Sequence, residues 1–224
     1  MDNAQYQELD KLISEYEEDF RNIRSERLMM KNYPKVLTMS AASSFENYIK
    51  HRCQDFLVSP TLPLSSYPKI NSMRSNKPKE DQMFAKLKVN GPNGIELLSA
   101  AEFYDLFGGQ AFKSAVEANF CSEQAQKISQ LEATIGALSA LLGKDEKYDF
   151  EYAKLCDLKE MLENASFDDA ERAYLSLKRR RNSVAHNYIH GLSDTFEDIR
   201  KFYNLAVIYV IALESAIIAL TDTE

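Results

Sequence analysis

Helix breakers are scarce in this chain of 224 residues, and most of them stand close together. There are seven glycines and six prolines; four of the prolines fall in the single stretch SPTLPLSSYPKINSMRSNKP, and the turn cluster NGPNG follows at 90–94. Outside that region apolar residues recur at helical spacing over long distances, and no extended run alternates β-branched residues in the manner of a strand. The pattern predicts an all-α chain with one irregular excursion, and 45% hydrophobic residues suffice for a sizeable core.

The punctuation then places the elements. A first helix is expected over 3–31, ending before Tyr33-Pro34, where the residue preceding proline disfavours helical geometry. Pro34 suits the first turn of a second helix that runs to about Val58. The Pro-rich loop covers 59–93, with a short helix near 80–88, and helices follow at 95–107, 109–120 and 122–142, the last closed by Gly143. Another covers 146–163. Ser166 and Asp169 have capping-box spacing and open a helix that continues to Gly191, and Asp194 with Glu197 opens a final one of about 25 residues. The chain thus divides into an N-terminal helix pair (1–58), a Pro-rich loop and helical insertion (59–165) and a C-terminal helix pair (166–224), within a single domain spanning 1–224.

Composition narrows the function classes. The three cysteines, Cys53, Cys121 and Cys156, are far apart and odd in number, so they read as reduced small hydrophobes with neither a disulfide framework nor a zinc site. The start MDNAQYQELDKLISEYEEDF lacks the basic and apolar regions of a signal peptide. The most apolar run, LAVIYVIAL, is followed by Glu214 and falls well short of a bilayer span, so no membrane partner and a cytoplasmic location are expected. A formal net charge of -7 argues against a protein that coats nucleic acid generally, and leaves room for a local anion site. No GxxxxGK[ST] loop, HExxH helix or GxSxG elbow occurs, and neither a metal nor another cofactor is expected.

Two helices carry a charge where periodicity expects an apolar residue. Ala170, Tyr174, Leu177, Arg181, Val184 and Tyr188 follow at steps of three or four, and Arg181 interrupts the stripe. Met39, Ala42, Glu46, Ile49, Cys53 and Phe56 do the same on the second helix, interrupted by Glu46. Charges at such places are costly unless paired, so Glu46 is a candidate to orient Arg181; in the other reading both stripes are broad and the two charges sit at solvated edges.

Asn182 and His186, four residues apart, share a helix face, so the amide can fix the imidazole tautomer. Arg181 and His186 lie five apart, roughly 140° around an intact helix, and one uninterrupted helix does not aim both at one point. Either the helix distorts before Gly191, or a second subunit supplies the missing group near a two-fold axis. His190 and His51 fall outside this pattern.

The stretch RNSVAHNY resembles the signature of the HEPN superfamily (higher eukaryotes and prokaryotes nucleotide-binding): an Arg, a polar residue, a spacer and a His, here Arg181, Asn182 and His186. AASSFENYIKH is similar to the second helix of some HEPN families, with Glu46 at the acidic position that helps complete the site. The resemblance is specific over these two segments, and the long 59–165 region points to a larger branch than the compact toxins. It implies a helical bundle that forms a homodimer with the motifs facing each other, and a metal-independent endoribonuclease acting on RNA as a toxin or anti-phage effector. It also implies a regulatory partner such as a nucleotidyltransferase or an ATPase, and makes Tyr188 the counterpart of a tyrosine that a nucleotidyltransferase antitoxin adenylylates in one toxin branch.

The chemistry is consistent with that reading. Cleavage without a metal needs a base for the 2′-OH proton, an acid for the leaving 5′-oxygen and a cation for the phosphoryl oxygens; His186 suits the first two roles and Arg181 the third. Lys178, Arg179 and Arg180 would form a positive rim that attracts the RNA backbone, or simply a solvated helix face. Two other classes remain: a non-catalytic HEPN-like module that binds a nucleotide or mediates assembly, and a helical interaction protein in which the Arg-to-His spacing is accidental.

Overall fold

The computed structural model describes Lys11 and residues 27–67, 100–186 and 194–222 of the chain. These residues form an all-α fold: α1 (Arg27–Val58), a 3-10 turn (Leu64–Ser66), α2 (Ala100–Leu106), α3 (Gln110–Ser139), α4 (Glu146–Asn164), α5 (Phe167–His186) and α6 (Phe196–Ile218). Most of the expected first helix, the short helix near 80–88, the 90–94 turn and Gly191 lie outside the described residues.

The bundle is built around α6. It packs against α1, α3 and α5; α1 also packs on α5, and α4 lies against α3. The run that reads as the most apolar in sequence supplies the centre, with Ile199, Tyr203, Ala206, Val210, Leu213 and Ile217 all buried. Each large apolar side chain withdrawn in this way contributes roughly 1.5–3 kcal/mol. The window from Asp198 to Ile218 is long and apolar enough to cross a bilayer, but 61% of it is buried against the rest of the bundle, as in a core helix. Aromatic rings join the layers: Phe45 of α1 stacks on Tyr203 at 5.9 Å, and Tyr174 of α5 lies 5.4 Å from Tyr209. The segment after α1 is tied to the end of α6, since Thr61 N–H donates to the Leu220 carbonyl at 2.9 Å and Asp222 N–H to the Ser59 carbonyl at 2.8 Å.

Local chemistry accounts for the helix ends. At α5, Asp169 N–H donates to Ser166 Oγ (3.2 Å) and Ser166 N–H to Asp169 Oδ2 (3.0 Å), the capping box expected from spacing. At α6 the box is one residue later than expected: Thr195 and Asp198 form it. Asp194, the expected cap, is used otherwise. Helix α4 agrees with the expected 146–163 to within a residue and is capped by Asp145, whose side chain accepts from Lys147 N–H.

Two expected breaks are absent. Helix α1 runs through Pro34 without interruption. An interior proline removes one backbone bond and costs about 3 kcal/mol, but here Leu37 and Thr38 in the next turn are completely buried and Thr38 Oγ1 donates to the Pro34 carbonyl at 2.7 Å, so packing outweighs the local preference. Likewise 109–120 and 122–142 are one helix, α3, because no glycine or proline occurs from Gln110 to Ile135, and Val116 and Phe120 continue the same buried stripe; Ser122 is exposed within it. That helix ends at Ser139, and Gly143 provides its left-handed backbone (φ 74°) four residues later, in the turn before α4.

Candidate functional site

The site is assembled on the facing surfaces of α1 and α5. Along α5 the residues Ala170, Tyr174, Leu177 and Val184 are buried, and along α1 so are Ala42, Ile49, Cys53 and Phe56; these two stripes bring the helices together. At the point where each stripe is interrupted the two intruders meet: Arg181 Nη1 donates to Glu46 Oε2 in a direct ion pair. Both side chains are about one-fifth exposed (21% for Arg181, 18% for Glu46), so the pair is set at the edge of the core and is open on one side. The pairing reading of the two charges therefore holds over the solvated-edge reading.

Asn182 takes a different part from the one expected. Its Oδ1 accepts from Arg181 Nε at 3.2 Å, which braces the guanidinium from a second direction. The amide is thus committed to Arg181 rather than to the imidazole. His186 is exposed as the last residue of α5. The helix is unbroken between Arg181 and His186, so the first route to convergence, a distorted helix, is not taken, and within one chain the two side chains point in different directions. Tyr188 and His190 lie outside the described residues, and His51 is exposed on α1.

The expected basic rim separates into three different environments. Arg179 is exposed. Arg180 donates to Asp194 from both Nε (2.9 Å) and Nη2 (2.8 Å), while its guanidinium lies 4.2 Å from the Phe202 ring centroid, so it clasps the end of α5 to the start of α6. Lys178 does not belong to a rim at all. It is only 7% exposed, with Nζ 5.3 Å above the Tyr174 ring. Burial lowers its pKa from an ordinary 10.5 to about 8; the nearby Glu46 carboxylate opposes that fall and Arg181 adds to it. The physical reason is rotational: Lys178 stands four residues after Tyr174 and three before Arg181, so it shares their face. That spacing was available in the sequence, where Leu177 filled the same turn of the stripe and hid it.

The same surroundings push the Tyr174 phenol above its usual range, first through burial and then through the Glu46 charge. Sequence reasoning also missed Asp194 as the Arg180 partner, and a second ion pair in which Arg52 Nε donates to Glu214 Oε1 at 2.7 Å. A cavity of about 640 Å³ opens elsewhere, between α4 and the first turns of α6, lined by Phe150, Lys154, Asp157, Met161, Arg200 and Lys201; none of the Glu46 and Arg181 cluster lines it. Among the described residues no group of three or more His, Cys, Asp or Glu is placed to hold a metal ion. No family model, curated protein or solved structure matches the chain.

Proposed function

We propose that this chain is a metal-independent endoribonuclease of the HEPN type, a cytoplasmic toxin or anti-phage effector that cuts RNA at a site completed by a second copy of itself. The observation that carries the reading is the Glu46–Arg181 pair: the one cation in the α5 stripe is held by a carboxylate from α1 and by Asn182, at the edge of the core where a phosphate can reach it.

In this reading Arg181 binds the phosphoryl oxygens of the scissile diester, and Glu46 and Asn182 set its orientation. One His186 removes the 2′-OH proton as that oxygen attacks phosphorus; another protonates the departing 5′-oxygen, leaving a 2′,3′-cyclic phosphate and a 5′-hydroxyl. The unbroken α5 does not aim Arg181 and His186 of one chain at the same atom, which favours a two-fold arrangement of facing motifs. Tyr188 is then the place where a partner nucleotidyltransferase silences the site, and an ATPase is the other class of regulator.

The test uses labelled single-stranded RNA with the full chain in EDTA. Cleavage that persists in EDTA and is lost in both Arg181→Ala and His186→Ala, with helical content retained, supports the reading; variants that cut as fast as the parent overturn it. A strictly monomeric mass at the assay concentration removes the composite site. One observation favours a second reading, a non-catalytic module that binds a nucleotide or a protein. With Lys178 buried and Arg180 bound to Asp194, only Arg179 of the preceding run is exposed, a thin rim for an RNA track.

A further inference from the structure

Lys178 is the buried charge that the proposed reaction leaves unused. It lies one helical turn before Arg181 on the α5 face that meets α1, more than nine-tenths buried, and among the described residues it makes no hydrogen bond, only the contact with the Tyr174 ring. An ammonium withdrawn from water without an acceptor is an unfavourable arrangement, and cores seldom keep one without a use. Glu46 thus faces two cations a turn apart and bonds to one of them.

We propose that Lys178, Arg181 and Glu46 form a phosphodiester subsite loaded by exchange: the incoming diester takes Arg181, and the displaced Glu46 carboxylate moves to Lys178. The inference rests on the endoribonuclease reading for the identity of its ligand. Charge balance is its main argument. Glu46 and Arg181 alone sum to zero and offer an anion no attraction, whereas with Lys178 the trio carries one net positive charge. One singly charged diester therefore makes the buried set neutral, and only the loaded site is balanced. Without Lys178, a diester at Arg181 would meet the Glu46 carboxylate across the same guanidinium, with no second cation to receive it.

The charged groups acting on Lys178 are Glu46 of α1 and Arg181 of its own helix, with the Tyr174 phenol beneath it. With a pKa of about 8, Lys178 is mostly charged at neutral pH and mostly neutral about 1.5 units higher. Binding of the diester favours the charged form, so above that pKa binding takes up a proton.

The probe is a deoxydinucleotide, which keeps one charge across the range and lacks the 2′-OH needed for cleavage, titrated calorimetrically into the intact chain between about pH 6.5 and about pH 9.5. The parent is expected to lose about tenfold in affinity across that range, and to take up a fraction of a proton near pH 8.5, read from buffers of different ionisation enthalpy. Lys178→Met is expected to bind about tenfold more weakly at neutral pH, with a flat profile and no proton uptake. Glu46→Gln should bind more tightly than the parent, and adding Lys178→Met to it should cost less than in the parent. A Lys178→Met protein that matches the parent in affinity and profile overturns the subsite, as does a parent that fails to bind the probe at millimolar concentration. The two proposals separate cleanly. A parent that binds in this way yet leaves RNA intact keeps the subsite and discards the endoribonuclease; a parent that cuts RNA while Lys178→Met binds and cuts equally well does the reverse.

Discussion

Helix α1 carries two acid–arginine pairs, and they differ in almost everything except the chemistry of the bond. In one, Arg52 of α1 reaches Glu214 of α6, whose side chain is 2% exposed in the middle of the apolar final helix. The guanidinium also donates to Asp55 at 3.1 Å and lies 5.8 Å from the Tyr48 ring, so its polar and flat surfaces are both occupied. In the other, Glu46 reaches Arg181 of α5, both partners are about equally accessible, and a buried ammonium with no hydrogen bond among the described residues stands beside them. The first pair is closed on itself and fixes the register of α1 against α6. The second is unfinished, which is what a binding site looks like before its ligand arrives.

The sharpest way to break this contrast is to alter the second region and watch function move without stability. His186 is exposed at the end of α5, so His186→Ala should leave urea unfolding within about 0.5 kcal/mol of the parent while lowering RNA cleavage roughly 100-fold. A large loss of stability would instead make His186 a structural residue.

The first region should behave in the opposite way. Arg52→Ala leaves the Glu214 carboxylate buried without its partner and should cost about 3 kcal/mol at neutral pH in denaturant unfolding. Burial already raises the Glu214 pKa, with Arg52 opposing that rise. Loss of Arg52 raises it further, so the native state holds the proton over a wider range than the unfolded chain does. Stability of the variant should therefore fall as pH rises through that interval, and the deficit should be smaller near pH 5 than near pH 7.

Lys178 sharpens the comparison from the side of cost. Its native pKa lies below the unfolded value, so from about 8 to 10.5 the unfolded state binds the proton more, and the burial penalty, roughly 3 kcal/mol at low pH, is relieved as pH rises. Lys178→Met should accordingly stabilise the fold by about 1–3 kcal/mol at pH 7 and by less near pH 9.5, in parallel chemical unfolding experiments. The smallest effect expected is at the clasp: Arg180→Ala removes the bidentate bond to Asp194 and the contact with Phe202, groups about a quarter exposed, for about 1 kcal/mol in the same measurement.

How far the sequence reaches depends on whether the signal is local. The capping box at Ser166 and Asp169, the start and end of α4, and the central place of α6 all follow from short-range pattern, and the meeting of Glu46 with Arg181 follows from two interrupted stripes, one on each helix. Pro34 and the 120–122 junction were misread for the opposite reason, since burial of the Leu37 turn and the continued Val116–Phe120 stripe outweigh what the nearest residues prefer. Lys178 was misplaced because its neighbours, Arg179 and Arg180, suggest a solvated basic run; only the rotation of α5 against α1 separates the first cation from the next two. Arg52 with Glu214 could not be foreseen, because the pair joins residues 162 positions apart and neither interrupts a stripe that had been traced.

The most direct measurement is the cleavage rate of one labelled RNA in EDTA by three proteins: the parent, Arg181→Ala and Arg52→Ala, at a temperature where all three are folded by circular dichroism. We expect Arg181→Ala to lose about 100- to 1000-fold and the less stable Arg52→Ala to keep the parent rate. Equal rates in the parent and Arg181→Ala, or an equal loss in both variants, would contradict the assignment of the two pairs.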